Sequence, residues 1–298
     1  MGPKEPNRKQ GEETKQSRWG FRGMTVRDWL QLLIVPLALV VIGFLFTIRQ
    51  DARQEAIEEQ RAQDLALQGY LDQMSTLLLA DLGDPKVRTL ARARTLTVLR
   101  RLDPSRKEEV MEFLLEADLV HSVGERDPVI ELSNSDLHNT YLPGANLNGA
   151  NLHEANLNDA YLGGANLNDA ALSAAELNGA YMADASLENA DLNGAYLDDA
   201  GLSEADLSDA DLSGAGMHEA DLTGASLENA DLRGAYMSDV GVSDADLSGA
   251  DFRDAKYITR DELERYAGSL KGATMPDGQK YEDSLKDREG RKEDAENE

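Results

Sequence analysis

The histidines and carboxylates of this 298-residue chain are the groups whose types suit acid–base or metal chemistry. There are four His and no Cys, which excludes thiolate chemistry, a disulfide framework and zinc-finger spacing. His138, His153 and His218 lie in the repetitive C-terminal half, and His121 precedes it. We interpret all four as surface or junction residues, and we expect no enzyme activity, no metal site and no cofactor.

Aspartates recur at a twenty-residue interval in the C-terminal half, at Asp191, Asp211, Asp231 and Asp251. If their carboxylates stack, they repel one another, and the repulsion is relieved by salt screening, by raised pKa values or by bound calcium. Screening is the simplest of these explanations. The calcium hypothesis requires that thermal stability differ between chelator and millimolar calcium.

Tyrosines share this interval, with Tyr141, Tyr161 and Tyr181 twenty residues apart and Tyr196 and Tyr236 forty apart. Stacked on one face, they would form an exposed aromatic ladder. Such a ladder either stabilises the sheet through neighbouring side chains or provides the aromatic surface typical of protein interfaces. Stabilisation is the simpler interpretation, and a partner-binding surface is the specific alternative.

The element that positions these residues is a five-residue repeat. Every fifth residue from Leu132 to Phe252 is Leu, Met, Val or Phe, and Ala recurs at the same interval from Ala145 to Ala255, except at Val240. A period of five fits neither the 3.6 of a helix nor the 2.0 of a strand. The chain must therefore turn once per repeat, so that short sides form coils and the coils stack.

Ala and the central residue of each repeat are predicted to point inward, and the other three positions to face water. Gly, Asn and Asp gather at the last position of the repeat, as at Gly149 and Asp159, where a corner needs unusual backbone angles. These glycines are corner residues and not a nucleotide-binding loop. The predicted solenoid core includes Leu147, Leu157, Leu167, Leu177, Leu192, Leu207, Leu222, Leu232, Leu247, Ala150, Ala160, Ala190, Ala210 and Ala230.

The repeat A-(D/N)-L-x-x resembles that of the pentapeptide-repeat family over Ile130–Ala255. The resemblance implies a right-handed quadrilateral β-helix with four repeats per coil, and the segment after it resembles the helix-and-tail cap of that family. The expected fold is thus an all-β solenoid of about six coils, roughly 30 Å long at the ~4.8 Å spacing of stacked strands. His138 and His218 would then lie about 19 Å apart, too far to share a metal.

The N-terminal part of the chain contains one uncharged apolar run, from Leu30 to Ile48. Nineteen residues at 1.5 Å each span about 28 Å, the thickness of a bilayer core. A single membrane-spanning helix is favoured over a signal peptide or a buried core helix, because no small-residue cleavage site follows. Basic residues near the two ends weakly favour a cytoplasmic N-terminus and a solenoid on the outer side.

Three amphipathic helices are predicted between the apolar run and the repeats. The first spans Asp51–Leu82, the second runs from Lys86 to Leu102, and Asp103 and Pro104 begin a third that ends near Val120. Their amino-acid sequence resembles the helical segment before the repeats in membrane-anchored bacterial members of the family. The stripe on the first helix either packs on the next two helices or forms a coiled coil with a second copy; it consists of Leu67, Leu71, Met74 and Leu78.

The second of these helices is unusually basic. A solvated face is the simplest interpretation, ahead of docking onto the acidic solenoid of the same or a neighbouring chain and of contact with anionic lipid headgroups. Its basic residues are Arg88, Arg92, Arg94, Arg100 and Arg101. The predicted segments are a disordered tail (1–28), a transmembrane helix (29–48), a helical juxtamembrane module (49–121), the β-helix (130–257), a cap (258–283) and a disordered charged tail (284–298).

Most of the negative charge of the chain falls on the repeats. Residues 130–255 contain 24 Asp and Glu against two Arg, a net of 22 negative charges out of 26 for the whole chain, so nucleic acid is not an expected partner. The sequence favours a non-enzymatic, single-pass membrane-anchored scaffold that binds an unknown protein partner and is able to form homo-oligomers. The alternative is DNA mimicry, known in the gyrase-protecting branch of the family, because this charge over about 30 Å approaches that of duplex DNA.

Overall fold

The computed structural model describes residues 26–79, 83–122 and 127–282. The described chain contains four helices: α1 (Val26–Leu78), α2 (Pro85–Leu99), α3 (Pro104–Glu116) and α4 (Arg260–Tyr266). The chain forms two compact units that divide between Glu59 and Gln60. The first unit contains the N-terminal part of α1, and the second contains the rest of α1 with all the later elements.

The apolar run and the first predicted amphipathic helix belong to one continuous helix, α1, which corrects the prediction of two separate segments. Residues 26–28, which the sequence places in a disordered tail, are part of this helix, and residues 1–25 lie outside the described residues. The helix continues through Arg49 and Asp51 because the residues that follow are mostly Ala, Gln, Glu and Arg, which are good helix formers. It ends at Leu78 instead of Leu82.

Two Asp-Pro pairs begin the next two helices. Asp84 accepts a hydrogen bond from the Lys86 amide at 2.8 Å, and Asp103 accepts one from the Arg106 amide at 3.0 Å. Each proline occupies the first turn, where its missing N–H has no helical partner to lose. Both helices end three or four residues earlier than the sequence predicts, at Leu99 and Glu116.

The part of α1 from Gln60, together with α2 and α3, forms a three-helix cluster that we call the helical module. Leu67 and Met74 of α1 are buried in it beside Leu99 and Met111, so the stripe on α1 packs within its own chain. The Tyr70 hydroxyl shares a hydrogen bond of 2.9 Å with Thr95, and burial raises the pKa of Tyr70 to about 12. This intramolecular packing is the simpler of the two arrangements considered for the stripe.

Each pentapeptide of the repeats consists of a short extended step and a turn. In one repeat the Ala150 amide donates to the Leu147 carbonyl at 3.0 Å, closing the turn, and Gly149 between them has a φ of +61°. Every fifth residue from Asn134 to Asp254 has a φ between +54° and +75°, the left-handed region that Gly, Asn and Asp tolerate best. These are the corners that the composition predicts.

Successive coils pair through parallel bridges between residues twenty positions apart, such as Tyr141 with Tyr161, so each coil contains four pentapeptides. The Leu147 amide donates to the Asn166 carbonyl at 2.7 Å, and the Asn166 amide donates to Ala145 at 2.9 Å. The expected all-β assignment needs a correction, since the described residues contain isolated bridges and no extended strands. The reason is that a turn every five residues leaves too few extended residues to form a ladder.

The core of this solenoid, which spans residues 130–256, is a column of Leu layers alternating with Ala. All fourteen residues predicted to point inward are at most 1% exposed. Ala is needed because the four sides of a coil converge on the same interior, and a larger side chain at every position would not fit. Phe252 fills the last layer and is completely buried.

The C-terminal end of the solenoid is covered by α4 and the segment after it. Asp246 pairs with Ser269 and Asp251 with Thr274, a spacing of 23 residues, because α4 is inserted into this last coil. Thr259 and Glu262 form a reciprocal capping box at the start of α4. The predicted tail (284–298) and the last residue of the predicted cap, Asp283, lie outside the described residues.

The N-terminal end of the solenoid is in contact with the helical module. The Ile130 amide donates to Leu119 at 2.7 Å, and the Ser122 amide donates to Asn148 at 2.8 Å. Both parts belong to the second compact unit. The module is therefore a cap on the first coil.

Candidate interaction surfaces

The aspartate column of the solenoid is held in place by local hydrogen bonds. Asp191 accepts from the Asn193 amide at 3.1 Å and Asp211 from the Ser213 amide at 2.9 Å. The same bond from residue i+2 recurs at Asp206, Asp221 and other Asp or Asn positions of the repeat. Such side-chain bonds to the backbone favour turns. The recurring Asp and Asn therefore have a structural role, which is to stabilise the corners.

Two arginines relieve the charge repulsion at the C-terminal end of this column. Arg233 Nε lies 2.8 Å from Asp231, and Arg253 Nε lies 2.9 Å from Asp251. The hydrogen bond from Arg233 lowers the pKa of Asp231 despite partial burial. Burial raises the pKa of Asp251, but the hydrogen bonds from Arg253 outweigh this effect and the pKa is lowered. At this end of the column, ion pairs also reduce the repulsion, in addition to the salt screening expected from the sequence. The Asp-x-Arg spacing in the sequence could have indicated these pairs.

Tyr141, Tyr161 and Tyr181 form a stack on one face, which we call the tyrosine ladder. Their ring centroids are 4.8 Å and 4.6 Å apart, with interplanar angles of 28° and 14°. The rings are between 37% and 56% exposed. The next position of the column is Gly201, so the ladder ends at an open stretch of backbone beside Tyr181.

Tyr196 and Tyr236 lie in the neighbouring column and do not touch each other. Gly216 bridges to both of them, one coil away from each. Both rings are more than half exposed, and Tyr236 has Tyr257 at a centroid distance of 6.4 Å. The five tyrosines that the sequence singles out therefore occupy two adjacent columns, but only three of them stack.

The histidines of the repeats form separate hydrogen bonds. His153 Nδ1 lies 2.9 Å from Ser173 Oγ, and His218 Nδ1 lies 2.8 Å from Ser238 Oγ. Both are about half exposed. Across residues 26–79, 83–122 and 127–282, no group of three or more His, Cys, Asp and Glu is arranged to hold a metal ion.

The third histidine belongs to a polar cluster between the helical module and the first coil. Lys107 of α3 is almost completely buried, and its Nζ lies 3.0 Å from Asp136 Oδ1 and 3.1 Å from His138 Nδ1. Asp136 also contacts His138 directly. Burial raises the pKa of Asp136, but the hydrogen bonds from His138 and Lys107 outweigh it, so the pKa lies below its ordinary value. Sequence reasoning missed this cluster, because Lys107 sits in a charged helix with no sign of its burial.

The basic residues of α2 and of the turn after it differ in their surroundings, and one of them, Arg92, docks onto the solenoid. Arg92 Nη2 donates to Ser133 Oγ at 2.6 Å, and its Nε lies 3.6 Å from Glu131. Arg100 and Arg101 are exposed and Arg94 is half-buried, and none of the three forms an ion pair with a described residue. Arg92 therefore docks within the chain, as the second interpretation of this helix expects. Arg94, Arg100 and Arg101 fit the first interpretation, a solvated face.

Two grooves flank these helices. A groove of about 400 Å³ between α1 and α2 is lined by apolar residues that include Leu65, Ala66 and Ala93, and by Arg94 and Arg101. A second groove, of about 320 Å³, lies between α3 and the first coil. Its lining includes Glu108, Glu112, Glu116, Tyr141 and Pro143.

Comparison with known proteins is consistent with this geometry. The family model for pentapeptide repeats matches eight copies, within residues 130–169, 165–203, 175–214, 202–239 and 215–256. Comparison with curated proteins gives no match. Among solved structures, a pentapeptide repeat protein from the thylakoid lumen of Arabidopsis thaliana is 30% identical, with 43% of this chain and 88% of that chain covered and a TM-score of 0.38.

Two further solved structures are also similar to this chain. HetL, a pentapeptide repeat protein involved in heterocyst differentiation regulation in the cyanobacterium Nostoc sp. strain PCC 7120, is 32% identical, with 50% of this chain and 76% of that chain covered and a TM-score of 0.27. QnrB1, a plasmid-mediated fluoroquinolone resistance protein, is 22% identical, with 54% and 84% covered and a TM-score of 0.23. The chain has twenty-residue coils, eight matched repeats and 30% identity over most of the Arabidopsis protein. It therefore belongs to the pentapeptide repeat family, whose members form right-handed quadrilateral β-helices.

Proposed function

We propose that this protein is a non-enzymatic scaffold, anchored in a membrane by a single helix, that presents its acidic solenoid to a protein partner. The observation that carries the proposal is the exposure of the apolar run in α1. Leu33, Leu37 and Phe44 are each more than half exposed. No residue in the most apolar 18-residue stretch of this helix is buried. Apolar side chains at this density need a cover, and a bilayer provides it.

The solenoid supports the interaction part of this proposal. Its outer positions are mostly Asp, Glu, Asn and Ser, held by hydrogen bonds at fixed spacing, and pentapeptide repeat proteins are generally structural or interaction proteins. A rigid, regularly charged surface suits recognition of a basic partner, since complementary charge steers association and fixes orientation. The tyrosine ladder adds exposed aromatic area, which protein interfaces enrich.

Alkaline extraction of membranes from cells that express the full chain tests the anchor. We expect the wild type to stay in the membrane pellet and a variant with Val40→Arg and Phe44→Arg to be released. The matched control, Gln50→Arg and Ala52→Arg, places the same charges just beyond the apolar run and should remain in the pellet. Intact mass of the recovered protein separates an anchor from a signal sequence, because cleavage would remove the apolar run, and a soluble wild type would refute the proposal.

The partner is sought by crosslinking in native membranes, followed by identification of the neighbours. Variants that remove the aromatic surface, Tyr161→Ser and Tyr196→Ser, are compared with Thr223→Ser, which lies on the same side as the tyrosine ladder but two coils beyond its end at Tyr181. A reporter fused at each terminus determines the orientation, for which we propose a cytoplasmic N-terminus and an external solenoid.

DNA mimicry is the second candidate, and the charge of the solenoid favours it. Twenty-two net negative charges over about 30 Å correspond to one per ~1.4 Å, against one per ~1.7 Å of duplex DNA. A gyrase supercoiling assay with the detergent-solubilised full chain and a detergent-only control tests it. Inhibition or protection of gyrase, together with a cytoplasmic solenoid in the fusion assay, would favour this candidate over the scaffold.

A further inference from the structure

We propose that two copies of this chain associate through the helical module, with α3 of one copy seated in the groove between α1 and α2 of the other. The groove, lined by Leu65, Ala66, Gly69, Arg94 and Arg101 among others, is called the basic groove. The part of α3 that enters it is the acidic stripe, formed by Glu109, Glu112 and Glu116. This inference goes beyond the proposed function and holds whether or not a membrane is present.

The basic groove is open and partly apolar. Leu65 is 70% exposed, and a Cβ added at Gly69 would meet no atom within 4 Å. Arg94 and Arg101 lie along the groove without an ion pair to any described residue. Exposed apolar area bordered by unpaired cations fits a surface that is covered by a partner with negative charge.

The acidic stripe has the complementary properties. Glu109, Glu112 and Glu116 are exposed, and none of them forms an ion pair within the described part of the chain. The opposite face of α3 is fixed in the core by Val110 and Leu114, which are completely buried. The stripe is therefore held at the surface, with Glu112 and Glu116 also lining the groove between α3 and the first coil, on a helix that cannot rotate to neutralise it.

The two surfaces carry paired charges of opposite sign. Glu109 and Glu116 lie seven residues apart on α3, about 10 Å along the helix, while Arg94 lies on α2 and Arg101 in the turn after its end. A helix ridge that enters the groove between two other helices is a common mode of packing. The two surfaces belong to the same compact unit, but their charged groups do not meet within one chain.

Each copy offers one basic groove and one acidic stripe. Two copies that exchange both contacts form an isologous dimer, whereas copies that make the two contacts with different neighbours form a ring or an open row. If the anchor of the proposed function is correct, confinement to one membrane raises the effective concentration of the copies and strengthens this contact.

The test uses the detergent-solubilised full chain in two fluorescently labelled pools, with energy transfer between pools measured against concentration and mass by sedimentation. We expect association in the wild type, weakened about tenfold or more by Arg94→Glu with Arg101→Glu, and equally by Glu109→Lys with Glu116→Lys. An equimolar mixture of the two charge-reversed proteins should restore association, because each then offers the charge that the other lacks. Raising the salt from 50 to 500 mM should weaken the wild-type contact, since the ion pairs are screened.

The controls reverse the same number of charges on the solenoid and its cap: Glu188→Lys with Glu228→Lys, and Lys256→Glu with Arg265→Glu. These side chains are exposed and distant in sequence from the helical module, so association should match the wild type. Circular dichroism establishes that each variant is folded, and if a reversal unfolds the chain, the Gln variants at the same positions take its place.

Three outcomes would overturn the inference: a wild type that stays monomeric up to the highest concentration, reversals that leave association unchanged, or a mixture that fails to recover. Failure to recover together with salt-sensitive vesicle binding that Arg94→Glu abolishes would assign the basic groove to anionic lipid instead. None of these results depends on where the protein resides. The association test and the test of the membrane anchor can therefore fail independently of each other.

Discussion

The ammonium group of Lys107 on α3 lies 3.0 Å from the carboxylate of Asp136 on the first coil, where the helical module meets the solenoid. The lysine side chain is 1% exposed and the aspartate 27%, so one charge is buried and the other reaches solvent. This ion pair fixes the position of the helical cap, because a buried ammonium without a partner carries a large desolvation penalty.

The first prediction concerns this pair. Asp136→Ala should destabilise the second compact unit by about 1–3 kcal/mol, less than the loss of a fully buried partner, because the aspartate is partly solvated. Lys107→Met should be nearer to neutral, since it removes the buried charge and keeps most of the volume. Chemical denaturation of the full chain measures both, and Lys256→Met on the exposed surface is the control. Equal, negligible effects of the two changes would contradict the assigned role of the pair.

The second prediction is an acid sensitivity of the same contact. The pKa of Asp136 is lowered in the folded chain, so its contribution to stability is complete above the unfolded value of about 4 and is lost as the pH falls through the folded pKa. Asp231 and Asp251 contribute in the same direction at the other end of the solenoid. Stability measured between pH 5 and pH 2 should therefore fall less steeply in Asp136→Asn than in the wild type. Parallel curves for the two proteins would rule out this contribution.

The third prediction tests the contact between Ser122 and the corner at Gly149. A Cβ at Gly149 would lie 1.7 Å from Ser122 Oγ, whereas a Cβ at Gly164 would meet nothing within 4 Å. Both glycines have similar φ angles, +61° and +67°, so the backbone strain of an Ala substitution is the same. Gly149→Ala should lower stability by about 1 kcal/mol more than Gly164→Ala. Adding Ser122→Gly to Gly149→Ala should remove the difference, and persistence of the difference would place its cause elsewhere.

The fourth prediction separates the two roles considered for the tyrosines. Tyr161 stacks on both of its neighbours, so Tyr161→Ser should cost about 1–3 kcal/mol of stability at ~0.5–1.5 kcal/mol per aromatic pair. Tyr196 makes no ring stack within the described residues, and Tyr196→Ser should change stability by less than about 0.5 kcal/mol. Thermal unfolding of the two variants decides whether the ladder is structural, and the opposite order would reverse the assignment.

The fifth prediction concerns the inward direction of the core residues. Leu192→Asp should bury an unpaired charge and disrupt the neighbouring coils, and Ala190→Leu should overpack the interior by roughly 1–3 kcal/mol. Asp191→Asn lies between them on the outside, retains the side-chain oxygen that accepts from Asn193, and should be nearly neutral. Unchanged melting of the two core variants would be incompatible with the buried column.

The fold of the repeats was predictable from the sequence because each pentapeptide contains the residues that determine its own local structure. The alternation of Ala and Leu sets the interior, the last residue of each turn sets the left-handed corner, and Asp or Asn caps the turn through the amide two residues later. The absence of extended strands was not predicted, because the sequence pattern gives the length of a repeat and not how many of its residues pair.

The sequence by itself determined the five-residue repeat with its inward Ala and Leu, the acidic exterior and the apolar run, since these properties follow from local spacing and composition. The coil of four pentapeptides was implied by the family resemblance, and the bridges between residues twenty positions apart show it. Only the tertiary structure decided that the helical module caps the first coil, that Lys107 is buried against Asp136, and that Arg92 docks onto Ser133. The physical reason is that these contacts join residues about thirty to forty positions apart across different elements. Whether a charged side chain on a helix faces water or a partner depends on the surface packed against it, which no local pattern specifies.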